Sequence, residues 1–271
     1  MPELPEVETI ANDLRSALVG TSFSGVTVHW PNIIAQPAVT ELWQRLVGQR
    51  ITNVRRRGKY VVFELSKGDY LIIHLKMTGQ LLVRPAEAEI ERYAHTIFDL
   101  DDGRQLRFAD MRKFGRVYLV ADPDSVLGKL GPEPLADDFT LDHFAHLLAR
   151  RSGRIKPLLL NQQFMAGIGN IYADETLFEA RIHPLRQADT LSPVEIHRLY
   201  HAMRDVLRGA IRKRGTTFDG YYRDTEGKEG TNQESLRVFR RAGQPCPRCQ
   251  STLERTVVGG RGTYFCPRCQ T

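Results

Sequence analysis

The sequence predicts an α+β protein: a leading helix, a β-rich N-terminal half folded as an antiparallel sandwich or barrel, and a helical C-terminal part closed by a metal-bound hairpin. Three observations carry that prediction. Strand-like runs separated by turn signals fill roughly residues 21–120. Beyond a proline-containing linker the apolar period changes from strand to helix. All four cysteines of the 271-residue chain lie in two CxxC pairs near its end.

Each element follows from its residues. From Pro5 the apolar positions Val7, Ile10, Ala11, Leu14 and Leu18 keep helical spacing, and proline suits a first helical turn. Gly20 is expected to stop that helix. The runs ITNVRRR, KYVVFEL, YLIIHL, QLLVR, HTIFDL, QLRFAD and GRVYLV read as strands, with turns at Lys67-Gly68-Asp69 and Asp101-Asp102-Gly103. DLDDG lacks the remaining ligands of a calcium loop and reads as a hairpin turn. GPEPLADD, at 131–138, reads as the linker. Ser192 and Glu195 form a capping box around Pro193, and Ile196, Leu199, Tyr200, Met203, Val206, Leu207, Ala210 and Ile211 continue as one apolar stripe expected in the core. His197 and His201, like His143 and His146, stand at helical spacing without a zinc-protease glutamate or an obvious third ligand, so surface or packing positions are expected. Residues 216–235 are polar, glycine-rich and without period, hence a long loop.

Charge narrows the partners. The chain carries +6, and from Arg204 to Thr271 there are 14 Lys/Arg against 7 Asp/Glu, so the excess sits at one end. That asymmetry suggests a polyanion, nucleic acid before membrane. Runs such as YLIIHL are too short to span a bilayer. The first 14 residues hold four acids and no base, unlike a secretory leader. A cytoplasmic protein with reduced cysteines is therefore expected.

Four motifs carry chemistry. CPRC at 246–249 and CPRC at 266–269, with 16 residues between the pairs, have the spacing of a tetrahedral zinc site. Between them LERTVVGGRGTYF reads as two short strands around Gly259-Gly260, which puts Arg261 near the tip of a metal-stiffened hairpin suited to a phosphate backbone. MAGIGN at 165–170 precedes a helical pattern, with Asn170 as N-cap. A helix start of this kind holds phosphate, and an ordinary helix–turn–helix corner has the same look. HLKM at 74–77 and DMRKFGR at 110–116 place Met and Phe beside basic residues at strand ends, as a wedge replacing an extruded base would need, although strand-end Met and Phe also serve as core.

The opening MPELPEVE is the fourth. Removal of Met1 would leave Pro2 as the terminus, a secondary amine titrating near the α-amino value of about 8 rather than the lysine value of about 10.4. Such an amine can attack a sugar carbon and hold it as an iminium, with Glu3 passing protons. Glu8, and by the plainer reading Glu6, would stabilise a helix start.

In this order MPELPEVE, HLKM, DMRKFG, IKP, GIGNIY, GTTF and the terminal CxxC pairs resemble bacterial formamidopyrimidine-DNA glycosylases from Met1 to Thr271. The resemblance implies a bifunctional base excision repair enzyme, a DNA glycosylase and AP lyase. Such an enzyme excises 8-oxoguanine and formamidopyrimidines from duplex DNA, then cuts the strand at the abasic site by β,δ-elimination. It implies a catalytic β-sandwich over 1–134 and a helical domain over 135–236 with a helix-two-turns-helix and a lesion-recognition loop. A zinc-finger β-hairpin over 237–271 follows, and DNA is bound between sandwich and helical domain. One structural zinc on Cys246, Cys249, Cys266 and Cys269 is implied, as is a monomer acting on nucleoid DNA.

By position, Pro2 resembles the nucleophile, Glu3 the proton donor for ring opening and Glu6 a supporting carboxylate. Lys59 resembles the proton donor for β-elimination and Arg261 that for δ-elimination. Met77, Arg112 and Phe114 match a void-filling triad. His74, Tyr93, Arg151, Lys156 and Asn170 stand at the family's DNA contacts, and residues 216–235 match the loop that covers the flipped base. Two departures stand out: Arg240, in VFRR, occupies a position where many members have glycine, and the loop has its own sequence. MPEL rather than MPEG, with the Met/Arg/Phe set, speaks against the related endonuclease VIII type that prefers oxidised pyrimidines.

Overall fold

A computed structural model describes residues 1–218 and 220–271. In chain order the elements are α1 (Leu4–Leu18), β1 (Phe23–Val28), β2 (Ile34–Gln36), α2 (Val39–Leu46), β3 (Ile51–Arg57), β4 (Tyr60–Leu65) and β5 (Tyr70–His74). They continue with β6 (Gly79–Pro85), β7 (Ala94–Leu100), β8 (Arg104–Asp110), β9 (Arg116–Val120), α3 (Asp124–Leu127), α4 (Leu141–Ala149), α5 (Ile155–Leu160), α6 (Asn170–Ala180) and α7 (Pro193–Arg212). The hairpin strands β10 (Glu254–Val258) and β11 (Arg261–Phe265) close the chain.

The chain divides into two compact units. The first is 1–129 with 213–233, the second 130–212 with 234–271. This division departs from the sequence-based boundaries of 1–134, 135–236 and 237–271 in two ways. Most of the long loop packs with the first unit, and the finger shares a core with the helices.

In the first unit a four-stranded sheet, β1-β7-β8-β6, and a five-stranded sheet, β2-β9-β5-β4-β3, form the two layers of a sandwich. Every pairing is antiparallel except β2 with β9. One core joins both sheets to α1 through Val7, Ile10, Leu14 and Leu18. Burying each of these side chains contributes about 1.5–3 kcal/mol, and this fixes the helix whose first turn carries Glu3 and Glu6. The predicted stop is found: Val19 caps α1 and Gly20 has φ +99°. Arg107 is 0% exposed, and its five N–H donors meet Gln105 Oε1, Glu91 Oε2 and the carbonyls of Pro85, Ala88 and Glu89. That one side chain shapes the 86–93 connection leading to Tyr93.

In the second unit α7 packs on α6 and α4, with Leu199, Tyr200, Met203, Leu207 and Ala210 of the predicted stripe buried and Ile196, Val206 and Ile211 only half-buried at its margin. The capping box is present, with Ser192 N donating to Glu195 Oε2 at 2.8 Å and Glu195 N to Ser192 Oγ at 3.4 Å. His143, His146, His197 and His201 are exposed. The finger's Val238, Cys246, Leu253 and Cys266 pack on Phe178 of α6, so it has no separate core. Among the described residues no helix is long and apolar enough to cross a membrane.

Candidate active site and nucleic-acid interface

Past the exposed Met1, the first residues of the chain are buried. Pro2 is covered, and Glu3 and Glu6 are 3% and 1% exposed. Main-chain donors hold the Glu6 carboxylate: Glu3 N to Oε2 and Thr216 N to Oε1, each 2.8 Å. Glu3 and Glu6 thus cap α1 reciprocally, and Glu6 also fixes the root of the long loop. Gly215 precedes Thr216 at φ +81°, and a Cβ there would lie 2.9 Å from the Glu6 carboxylate, so the approach requires glycine. Glu8 pairs with Arg56 at 2.6 Å, a structural role.

Lys59, in the β3–β4 turn, and His74, at the end of β5, are both buried. His74 Nδ1 accepts from Lys76 N at 2.9 Å, which leaves Nε2 to carry the ring proton, and Tyr60 meets the ring edge-on at 4.4 Å between centroids. Burial, then the charges of Lys76 and Lys59, hold the imidazole down at about 3. His74 is therefore a neutral donor throughout the physiological range.

Two turns of the sandwich meet at a wedge. Asp110, 1% exposed, accepts from Thr78 Oγ1 and Arg112 N through Oδ1 and from Gly115 N through Oδ2. It ties the turn after Met77 to the turn holding Arg112 and Phe114. Arg112 Nη1 lies 2.9 Å from Met77 Sδ, and its guanidinium sits 4.7 Å from the Phe114 ring centroid. Met77 and Phe114 are 41% and 47% exposed, so these side chains are presented rather than stored in a core. Lys113, at φ +58°, places its ammonium 4.2 Å from the Trp30 ring centroid and anchors the back of the turn. Tyr93 is half-exposed beside Arg92.

In the second unit the hairpin turn has Gly259 at φ +56° and Gly260 at φ +72°, the tight turn expected of paired glycines, and Arg261 is exposed beside it. Two sequence-based readings change here. Asn170 is the first residue of α6 rather than its cap; Gly169 caps, and the Asn170 amide donates to Gly262 O at 2.9 Å. Lys156, expected at DNA, is 0% exposed. Its ammonium lies 2.7 Å from Asp174 Oδ1 and donates to Thr263 Oγ1 and Gly262 O. Both residues therefore hold the strand that begins at Arg261. Arg151 is exposed between α4 and α5.

Sequence reasoning missed the acids beneath this arrangement. Asp174 accepts Tyr264 N, and Glu175 accepts Arg237 N, Val238 N and Phe239 N. Burial lifts the Asp174 carboxyl up to about 7 while Lys156 pulls it down, and burial raises Glu175 against those three N–H groups. Two adjacent acids inside the apolar run NIYADETLF were the available signal. Trp30 had none.

The four cysteine sulfurs lie within 4.8 Å of one another, unpaired as disulfides. The Cys246–Cys269 and Cys249–Cys266 sulfur separations are 3.9 and 3.5 Å. Four sulfurs at tetrahedral zinc distance lie about 3.8 Å apart, so the set fits the ion. Arg248 N and Cys269 N point at Cys246 and Cys266 Sγ, as thiolate ligands require.

Fold and site define a class: α+β proteins pairing a two-sheet sandwich with a helical unit that carries a four-cysteine zinc hairpin. The formamidopyrimidine-DNA glycosylase N-terminal domain matches residues 1–117, the H2TH domain of the same enzymes residues 130–220, and the zinc finger found in FPG and IleRS residues 243–271. The formamidopyrimidine-DNA glycosylase of Herpetosiphon aurantiacus is 49% identical over 275 residues, covering 100% of both chains. That of Pelotomaculum thermopropionicum is 48% identical over 274 residues, 100% of this chain and 99% of its own. The structure of Lactococcus lactis Fpg in complex with DNA containing an abasic site superposes with a TM-score of 0.91 at 35% identity, covering 99% of each chain. The chain belongs to the formamidopyrimidine-DNA glycosylase family, zinc-finger DNA-binding proteins of DNA repair.

Proposed function

We propose that this chain excises oxidised purines, 8-oxoguanine and formamidopyrimidines, from duplex DNA and then cuts the strand as an AP lyase. The observation that carries the reading is the buried start: Pro2 beside two carboxylates held by main-chain N–H groups. Burying carboxylates is costly unless hydrogen bonds compensate; here main-chain N–H groups do so directly beside Pro2, which leaves the acids placed for proton transfer at that nitrogen. The L. lactis Fpg structures hold DNA with an abasic site or Fapy-dG, and a MutM structure holds carbocyclic 8-oxo-G DNA, which supports the substrate class.

After loss of Met1 the Pro2 nitrogen donates its lone pair to the sugar C1′ and the base leaves with the glycosidic electron pair. Glu3 gives a proton to the ring oxygen, the ring opens, and an iminium links Pro2 to C1′. Loss of the C2′ proton expels the 3′ phosphate, with Lys59 as proton donor, and a second elimination, assisted by Arg261, expels the 5′ phosphate. Water then releases the enzyme. Glu6 supports Glu3. Met77, Arg112 and Phe114 fill the space left by the base, while His74, Tyr93, Arg151 and Asn170 contact the backbone directly or through the elements they hold. Lys156 acts through the hairpin. The zinc is structural and fixes the hairpin's shape. The protein works as a monomer on nucleoid DNA in the cytoplasm.

Borohydride should trap the protein on duplexes containing 8-oxoguanine opposite cytosine, with the link mapped to Pro2. A link on a lysine would sink the assignment. Stronger trapping on 5-hydroxyuracil would move the substrate class to oxidised pyrimidines.

A further inference from the structure

Residues 213–218 and 220–233 are held to the rest of the first unit at several points, and one side chain joins them. Arg214 lies two residues past the end of α7 and has φ +58°, a left-handed conformation uncommon for a residue with a side chain. Its guanidinium grips Asp13 of α1 in a fork, Nη1 to Oδ1 at 3.2 Å and Nη2 to Oδ2 at 2.6 Å. Nη2 also lies 2.7 Å from Asp224 Oδ2. Asp224 is 2% exposed, and its other oxygen accepts Glu226 N and Lys228 N, closing the far turn of the loop. The Arg214 carbonyl accepts the Tyr222 hydroxyl at 2.9 Å, and the Tyr222 ring lies in the core that includes α1. Thr225 O accepts Val83 N of the edge strand β6 and Arg84 Nη1.

A solvent-exposed ion pair contributes little. Here one of the two carboxylates is buried, and removing the cation leaves its Oδ2 without that charge while Oδ1 keeps the two turn N–H groups. Burial pushes Asp224 up, but Arg214 and the two turn N–H groups outweigh burial and leave it below the usual carboxylate range. A left-handed arginine persists where its surroundings over-determine it, and three carboxylate contacts do so here.

We propose that Arg214 is the positioning residue of the recognition loop, latching it to α1 before substrate arrives so that the loop is already set to cover an extruded base. This rests on the reading above in which the loop covers that base. Since α1 carries Glu3 and Glu6 at its start, the latch references the loop to the helix that holds the reacting carboxylates. The latch acts on base recognition and leaves sugar chemistry aside.

The test compares the wild type with Arg214→Asn, which tolerates left-handed φ but cannot reach either carboxylate, and with Arg214→Lys, which offers a point charge without the fork. Hydrogen exchange on the free proteins reads the latch without any substrate. The Glu226 and Lys228 amides should exchange faster in Arg214→Asn and at an intermediate rate in Arg214→Lys, with the amides of β4 and β5 unchanged. On DNA, if the competent loop population drops to about a tenth, kcat/KM for an 8-oxoguanine duplex falls about tenfold. Cleavage of a preformed abasic site should fall by less, because no base is recognised. Unchanged exchange, or equal losses on the two substrates, would overturn the latch. If the wild type itself releases no oxidised base, the functional reading fails, and the exchange rates still decide whether Arg214 fastens the loop.

Discussion

Replacing Lys156 with methionine keeps the buried volume and removes the ammonium that Asp174, Thr263 and Gly262 share. The Asp174 carboxyl, 1% exposed, then keeps Tyr264 N as a partner and loses its cation. In the wild type burial already raises that carboxyl from 3.8 up to about 7 against the pull of Lys156. A neighbouring cation lowers a carboxyl pKa by about 1–3 units, so the variant's carboxyl rises further by that amount. A folded pKa raised above the unfolded value contributes stability that is present at low pH and lost as pH rises through the folded pKa. In the wild type this loss ends near 7; in the variant it continues upward.

The stability deficit of Lys156→Met should thus be smallest near pH 6 and grow by roughly 1–4 kcal/mol by pH 9–10. Both tryptophans, Trp30 and Trp43, lie in the first unit, so intrinsic fluorescence is blind to this change. Exchange of the Tyr264 amide, measured across pH with the intrinsic rate divided out, reports it directly. Adding Asp174→Asn should remove the pH dependence. A deficit that stays level from pH 6 to 10, or one that persists with its slope in the double variant, would refute the account of a buried pair holding the hairpin.

Three further outcomes are expected. His74 titrates at about 3 when folded against 6.5 when free; its folded pKa is depressed, so stability is lost as pH falls from 6.5 toward 3, at up to about 1.4 kcal/mol per unit. Urea midpoints from tryptophan fluorescence at pH 6.5 and 4.5 should converge in His74→Gln relative to wild type. Stripping zinc with a strong chelator should release one ion per chain and abolish exchange protection in β10 and β11 while tryptophan fluorescence stays native; a protected hairpin in metal-free protein would contradict this. Phe114→Ala removes part of the wedge, where extrusion costs a few kcal/mol, so single-turnover release of 8-oxoguanine should slow more than cleavage at a preformed abasic site.

Much of this protein is legible locally. The seven strand runs, the capped and striped helix α7, the glycine-marked turns and the cysteine spacing depend on neighbours a few residues apart, and each appears in the structure where the pattern puts it. The segment from Phe23 to Leu46 was not legible in detail. Its β2 is three residues long and pairs in parallel with β9, more than 80 residues later, so no alternation within it could declare the strand.

The arrangement of the candidate site was decided by tertiary structure, for a consistent reason. A side chain's type fixes what it can bond, and only the fold fixes what comes within reach. Asn170 has the chemistry of a cap, yet Gly262 O takes its amide. Lys156 has the charge of a phosphate contact, yet α6 supplies Asp174, and burial turns the ammonium inward. Glu6 has the look of a helix-dipole acid, and it is one, but its second oxygen accepts Thr216 N from 210 residues away. Arg240 exceeds any local rule: it keeps φ +60°, the region that explains why glycine suits the position. The sequence alone determined which chemistry is present and the elements that carry it. Contacts between residues tens to hundreds of positions apart decided which groups are buried and held and which are presented to a partner, because desolvation and hydrogen-bond geometry act through space and leave no mark on the local pattern.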